Sequence, residues 1–180
     1  MKNIYKPQEP DFTPINVNEI VLEVMEQYST RLTDAGIKLQ LNLEKSGATA
    51  FIDETALYTS LGNIILNSID AMPEGGELSI TTVNRENHLL LEVADNGKGI
   101  KPSDLPKIFK PFFTTKTPEE GTGLGLTLVK EAVEISGGSI SVSSKVGQGT
   151  KVMISLLKNE PVNFSRRIGS SMQGFFKPQY

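Results

Sequence analysis

Three glycine clusters and one asparagine pair, set in a fixed order between amphipathic segments, constrain this chain more than anything else in its sequence. NIILNSIDAM spans residues 63–72, DNGKGI 95–100, GTGLGL 121–126 and GQGT 147–150. Glycine lets a backbone turn where other residues cannot, or come close to itself or to a ligand. Each cluster therefore marks a break between periodic elements, and the fold has to place several such breaks at the ends of helices and strands.

The elements between the breaks can be read from their periods. Ile20, Val21, Val24, Met25, Tyr28 and Leu32 recur at helical spacing, with Asn16 or Asn18 as the cap and Gly36 as the stop. Residues 37–43, IKLQLNL, alternate as a strand, and residues 50–52 are a possible second one. Asp53 can cap a second helix running to about Met72, with Leu57, Leu61, Ile64, Ile65 and Ile69 on its apolar stripe. After the turn PEGG, residues 78–83 and 89–94 predict a strand pair, 103–109 a short helix, and 123–136 a third long helix. Residues 139–144 and 151–157 predict two closing strands. Helices and strands interleave without a βαβ rhythm, which predicts a mixed sheet with helices packed on one face. Residues 1–15 carry three prolines and no period, so they read as a linker arm; 159–180 read as a tail without a period.

Composition narrows the class. With 180 residues, 38% hydrophobic and 22% charged, the chain matches an ordinary globular domain. A net charge of -3 with no basic block gives no nucleic-acid footprint. The absence of cysteine excludes disulfides, thiolate metal sites and cysteine nucleophiles, and fits a reducing compartment. No apolar run reaches the roughly 18 residues that would cross a bilayer, and the N-terminus has no signal-peptide core.

Taken singly, each cluster has a plain reading beside a chemical one. Asn63 and Asn67 lie one helical turn apart and share a face. An amide oxygen is a hard ligand suited to Mg2+ that bridges phosphates; a solvent-facing pair is the plainer account. Asp95 follows a predicted strand, where a carboxylate can accept a hydrogen bond from an exocyclic amine; a tight Asn-Gly turn fits equally well. Glycines 121, 123 and 125 open a helix, where free N–H groups and the helix dipole favour an anion. The spacing is that of neither a Walker loop nor a dinucleotide fingerprint, and a hinge explains the glycines alone. GQGT by itself is a hairpin loop.

In this order, however, the four segments resemble the N box and the three glycine boxes of the histidine kinase and gyrase B ATPase superfamily. IFKPFFTTK, residues 108–116, resembles the F box of sensor histidine kinases, especially the nitrogen-regulator-like branch. The resemblance covers about residues 12–158. It implies an α/β (α+β) two-layer sandwich of the Bergerat type, with a mixed, mostly antiparallel sheet and three long helices on one face. It implies ATP or ADP as ligand with Mg2+ held by Asn67. Asp95 matches the aspartate that reads the adenine amino group, Gly97 and Gly99 the glycines that leave room for the ring, and Ile100 an apolar wall. Thr150 matches a threonine that supports the aspartate. Gly121, Thr122, Gly123, Leu124, Gly125 and Leu126 match the box that cradles the phosphates. Residues 109–122 match a mobile lid anchored by Phe109, Phe112 and Phe113, and Lys116 the lid cation that reaches the terminal phosphate.

Asn63 stands where relatives that hydrolyse ATP carry a glutamate base. An amide cannot take a proton from water near neutral pH, so the resemblance implies phosphoryl transfer rather than a hydrolysing clamp. A protein-serine kinase of the same superfamily and a non-catalytic nucleotide-binding domain are the remaining alternatives; the F box and the intact Asn67, Asp95 and glycine boxes argue against them. Asp70 departs from the basic or aromatic residue of many sister families. The lone histidine, His88, precedes LLLEV and reads as a strand-end residue, not a phosphoacceptor. The expected partners are thus a histidine-bearing dimerisation domain joined ahead of residue 16 and a response-regulator receiver domain. The domain proper is 16–158, monomeric by itself and cytoplasmic, whatever anchors the parent protein.

Overall fold

A computed structural model describes residues 11–117 and 121–161. Most of the predicted linker arm and tail, and positions 118–120 of the predicted lid, lie outside the described residues. The elements are β1 (Phe12–Asn16), α1 (Val17–Asp34), β2 (Ile37–Asn42), β3 (Thr49–Asp53), α2 (Glu54–Ala71), β4 (Gly76–Asn84), β5 (His88–Asp95), α3 (Gly125–Ile135), β6 (Ser139–Lys145) and β7 (Gly149–Leu157).

Five strands form the main sheet in the order β2-β4-β5-β7-β6; β2 runs parallel to β4 and the other pairs are antiparallel. β5 shows why only one face is covered. Leu89, Leu91 and Val93 are buried, while Leu90 and Glu92 alternate to the other side, where Glu92 pairs with Lys151 across the strands at 3.0 Å. On the covered face the core joins Val21 and Val24 of α1, Leu57, Leu61 and Ile65 of α2, and Leu78, Ile80, Leu91, Ile154 and Leu156 of the sheet, all fully buried. Each large aliphatic side chain so removed from water contributes about 1.5–3 kcal/mol before entropy is counted. α2 is the middle helix, touching both α1 and α3. Among the described residues no helix is long and apolar enough to cross a membrane.

Local chemistry explains the boundaries. Asn16 caps α1, accepting from the Asn18 amide at 3.2 Å. Asn18 is turned to other work: it donates to the Glu44 carbonyl at 2.9 Å and accepts from the Thr82 hydroxyl at 2.8 Å. Asp53 caps α2 by accepting from Ala56 N at 2.7 Å. Gly36 ends α1 at φ 65°, as its position predicts.

Three readings change. Residues 12–15, read as linker, belong to β1, which pairs with β3 in a second, two-stranded sheet from Phe12↔Asp53 to Asn16↔Thr49. Pro14 hides this strand from pattern reading, because prolines demote a run in sequence although an edge position tolerates them. The predicted helix at 103–109 is one 3-10 turn, Leu105–Lys107, with proline in its first turn. The third helix begins at Gly125, not 123, because Gly123 takes φ 68°, outside the helical region.

Candidate nucleotide site

The cleft lies where β5 and β7 run out beside α2 and the start of α3. Asp95 is the last residue of β5, opposite Leu78 on one side and Thr150 on the other. One carboxylate oxygen accepts from Gly97 N at 3.0 Å and Thr150 N at 3.2 Å, and the other from the Ser68 hydroxyl at 3.1 Å. Burial pushes the Asp95 pKa above its ordinary 3.8, and these three hydrogen bonds oppose the shift. A desolvated carboxylate that keeps its donors is a common mark of a functional cleft.

A hydroxyl relay fastens this carboxylate's surroundings. Ser144 donates to the Gly149 carbonyl and accepts from Ile100 N, both at 2.8 Å. With its proton so used, Ser144 is the acceptor for the Thr150 hydroxyl 3.0 Å away. Thr150 therefore supports Asp95 directly through its backbone N–H. Backbones meet closely here: a Cβ on Gly149 (φ 92°) would sit 1.9 Å from the Asp95 carbonyl oxygen, and one on Gly99 (φ 68°) 2.2 Å from that of Lys145. Gly97 likewise packs on the Ala71 carbonyl, which a Cβ would approach to 2.5 Å.

Two adjoining cavities occupy the cleft. The one beside Asp95, about 520 Å³, has Ile100, Leu126, Val142, Val146 and Val152 as apolar walls, with Gly99 and Thr150 at its polar end. The other, about 750 Å³, is bounded by Asn63, Gly121, Thr122, Gly123 and Gly125. Asn67, Asp70, Lys98, Phe113, Lys116 and Leu126 line both. Gly97 and Leu124 line neither; they hold the turns behind the walls.

In the second cavity the Leu124 side chain does not cap α3; the Thr122 hydroxyl accepts from Leu124 N at 3.4 Å, and the N–H groups from Gly125 on are without a capping side chain. A Cβ on Gly125 would lie 3.4 Å from the Asn63 amide, filling the space between that amide and the helix start. Lys116 donates to Asn67 Oδ1 at 3.2 Å and forms an ion pair with Asp70. Among the described residues no three His, Cys, Asp or Glu side chains are grouped to hold a metal by themselves. A hard cation held here would need ligands beyond such a cluster.

The F-box phenylalanines divide. Phe109 and Phe113 are half-buried; Lys130 lies 5.7 Å over the first ring, Lys107 5.8 Å over the second, and Thr127 bonds the Phe109 carbonyl at 3.3 Å. Phe112 is 75% exposed, at φ 64°, and anchors nothing by its side chain. Its backbone instead packs on Gly123, where a Cβ would lie 2.4 Å from the Phe112 carbonyl carbon. His88 starts β5, at the opposite end of the strand from Asp95.

Ser68, Ser144 and the valine wall were not legible as site residues. Ser68 did leave a signal: it continues the buried stripe of Leu57, Leu61 and Ile64, and a hydroxyl on such a stripe needs a partner. Ser144 sits on the inward register of Ile140 and Val142, which is visible only once β6 is paired.

Comparison with known proteins agrees with this geometry. The family model described as histidine kinase-, DNA gyrase B-, and HSP90-like ATPase matches residues 52–160. Sporulation kinase C of Bacillus subtilis (strain 168) is 34% identical over 84% of this chain, and sensor histidine kinase ZraS of Escherichia coli (strain K12) 32% over 91%. The chain spans about a third of the length of these relatives, 35% and 34%. The solved catalytic domain of the histidine kinase ThkA, in a nucleotide-free form, superposes with a TM-score of 0.75 at 30% identity, over 82% of this chain and 96% of that one. The sheet order, the three helices and the ordered boxes are thus those of a known ATPase fold, and this chain belongs to the histidine kinase-, DNA gyrase B- and HSP90-like ATPase family.

Proposed function

We propose that this chain binds Mg2+-ATP and delivers its terminal phosphoryl group to a histidine on a separate dimerisation domain, for relay to an aspartate of a response-regulator receiver domain. The observation that carries the proposal is the division of the cleft. A desolvated carboxylate with apolar walls lies at one end, and an uncapped helix start with two amides and a lysine at the other. Adenine's exocyclic amine suits the lone pairs of Asp95. Its ring suits Ile100, Leu126 and the valines, and a polyphosphate suits the N–H groups at Gly125. Mg2+ would neutralise phosphate charge, and Asn67 would hold it through its amide oxygen.

Asn63 faces the start of α3 and can orient an acceptor or the metal's water shell, but it cannot remove a proton. The acceptor histidine is its own nucleophile, so the domain needs orientation more than a base. The linker role of residues 1–11 and the docking of both partner domains belong to this proposal, as does a cytoplasmic setting where ATP is available.

Calorimetry with ADP and ATP, with and without Mg2+, tests the site; no binding at millimolar nucleotide refutes it. Mixing the chain with ATP and a histidine-bearing dimerisation fragment tests the reaction. Acid-labile, base-stable label on the fragment is the expected result. In the isolated chain, phosphate release stays near background at saturating Mg2+-ATP. Turnover of about 1 per second or faster, the range of working enzymes, would make it a hydrolysing clamp instead.

A further inference from the structure

The cation expected to meet the terminal phosphate is already occupied. Lys116 reaches across from the segment after Phe113 to α2, donating to Asn67 Oδ1 at 3.2 Å and pairing with the Asp70 carboxylate. Asn67 and Asp70 are three residues apart on α2 and share a face. The lysine therefore sits on the same amide oxygen that would take a metal, held there by a carboxylate one turn along. An ammonium and a divalent cation cannot share that oxygen, because like charges a few ångströms apart repel strongly in a partly dry cleft.

From this we infer, resting on the nucleotide reading above, that Asp70 is a positioning residue. It parks Lys116 over Asn67 and so makes Mg2+ the key that frees the lysine for the phosphates. Asp70 has a clear place in this scheme despite its odd charge for a phosphate site. Without metal, nucleotide binds either with Lys116 withheld or after the ion pair is broken. With metal, Asn67 is claimed and the ion's charge takes the lysine's place beside Asp70, so the lysine leaves at little cost and meets the phosphate charge that arrives with the ion. Asp70 then contributes to metal dependence rather than to affinity as such. The side chains of Lys116 and Asp70 remain 30% and 48% exposed, so water screens the pair and the effect is of the size of a surface ion pair, about two- to fivefold.

The test measures ATP and ADP affinity by calorimetry with and without Mg2+ in wild type, Asp70→Asn, Asp70→Glu, Lys116→Ala and the Asp70→Asn/Lys116→Ala double variant. The inference expects Asp70→Asn to tighten metal-free binding about two- to fivefold and to shrink the gain from Mg2+ by the same factor. Asp70→Glu, which can still reach the lysine, stays near wild type, and Asp70→Asn has no effect in the Lys116→Ala background. Unchanged or weaker metal-free binding in Asp70→Asn overturns it. So does an equal gain in the Lys116→Ala background, which would mean only the loss of a negative charge near phosphates. Amide exchange in the nucleotide-free protein judges the parking contact without nucleotide. The Lys116 amide, bonded to the Thr114 hydroxyl at 3.1 Å, should exchange several-fold faster in Asp70→Asn, and equal rates overturn the inference. Wild type that binds no nucleotide refutes the nucleotide reading, while the exchange result still decides the parking contact.

Discussion

The two ends of the cleft are built differently. Around Asp95 the walls are strand ends knitted by long-range bonds: Thr150 N and Ser68 to Asp95, Ile100 N to Ser144, and Gly147 N to Lys98 O at 2.9 Å. Across the cleft, much of the wall comes from the stretch after Ile108, whose hydrogen bonds are largely local: Phe113 N to Lys110 O at 3.2 Å, Lys116 N to Thr114, and Gly121 N to Thr117 O at 3.0 Å. Among its described residues the long-range hydrogen bonds and ion pairs are Thr127 to the Phe109 carbonyl, and Lys116 to α2. The base end is part of the core and opens only with it. The phosphate end can rearrange at small cost, because few buried contacts are lost.

Glycine substitutions break this comparison most sharply. Gly149→Ala forces a Cβ to 1.9 Å from the Asp95 carbonyl at φ 92°. Expected is a loss of more than about 3 kcal/mol of stability, read as a large drop in Tm with nucleotide binding lost alongside. Gly123→Ala also meets a backbone clash, 2.4 Å from Phe112 at φ 68°, but in the loosely tied wall. It should cost about 1–2 kcal/mol in ATP affinity while Tm barely moves. A similar Tm loss in both variants would show that the two ends are equally part of the core.

Asp95→Asn removes the acceptor of a charge-assisted bond, about 1.5–3 kcal/mol or roughly 10- to 100-fold in Kd. Ser68 can turn from donor to acceptor to meet the new amide, so the fold should survive. The sign of the pKa shift agrees. Burial raises the folded pKa above 3.8, so the stabilising contribution of this group is fully present below 3.8 and lost as pH rises through the raised value. At neutral pH the ionised carboxylate costs stability, and Asp95→Asn should keep or raise Tm. Nucleotide affinity in wild type should fall on acidification through that same raised value. An unchanged affinity in the variant would remove Asp95 from the base end.

The smallest effect lies far from the cleft. Glu44, with its pKa lowered to about 2 by bonds from the Ser46 and Asn84 backbone amides and the Ser46 hydroxyl, contributes stability that is present above its ordinary 4.5 and lost as pH falls toward 2. Glu44→Gln should lower Tm slightly at pH 7 and not at all near pH 2, with nucleotide binding intact.

What could be read in the sequence follows the same division. Helices α1 and α2 and the strands of the main sheet announce themselves by apolar period, because burial on one face enforces it. The positions of Asn67, Asp95 and the glycines could be read from their order. The parking of Lys116 could not, since a contact between residues 70 and 116 depends on how an irregular segment crosses α2. Nor could the split among the F-box rings: Phe109 and Phe113 are half-buried, while Phe112 sits in a left-handed turn against Gly123 with its ring exposed. β1 escaped because Pro14 interrupts its run and its burial does not alternate, Thr13 and Pro14 both being exposed.

That small sheet carries a mechanical implication. The Asp11 amide donates to one oxygen of Asp53 at 2.7 Å, while the other oxygen caps α2 at Ala56. One carboxylate thus joins the entering chain to the foot of the helix that carries Asn63, Asn67 and Asp70. The entering strand is thus tied to the root of α2 through this carboxylate, and to the five-stranded sheet through β3. The amide pair stands ten and fourteen residues up the same rod.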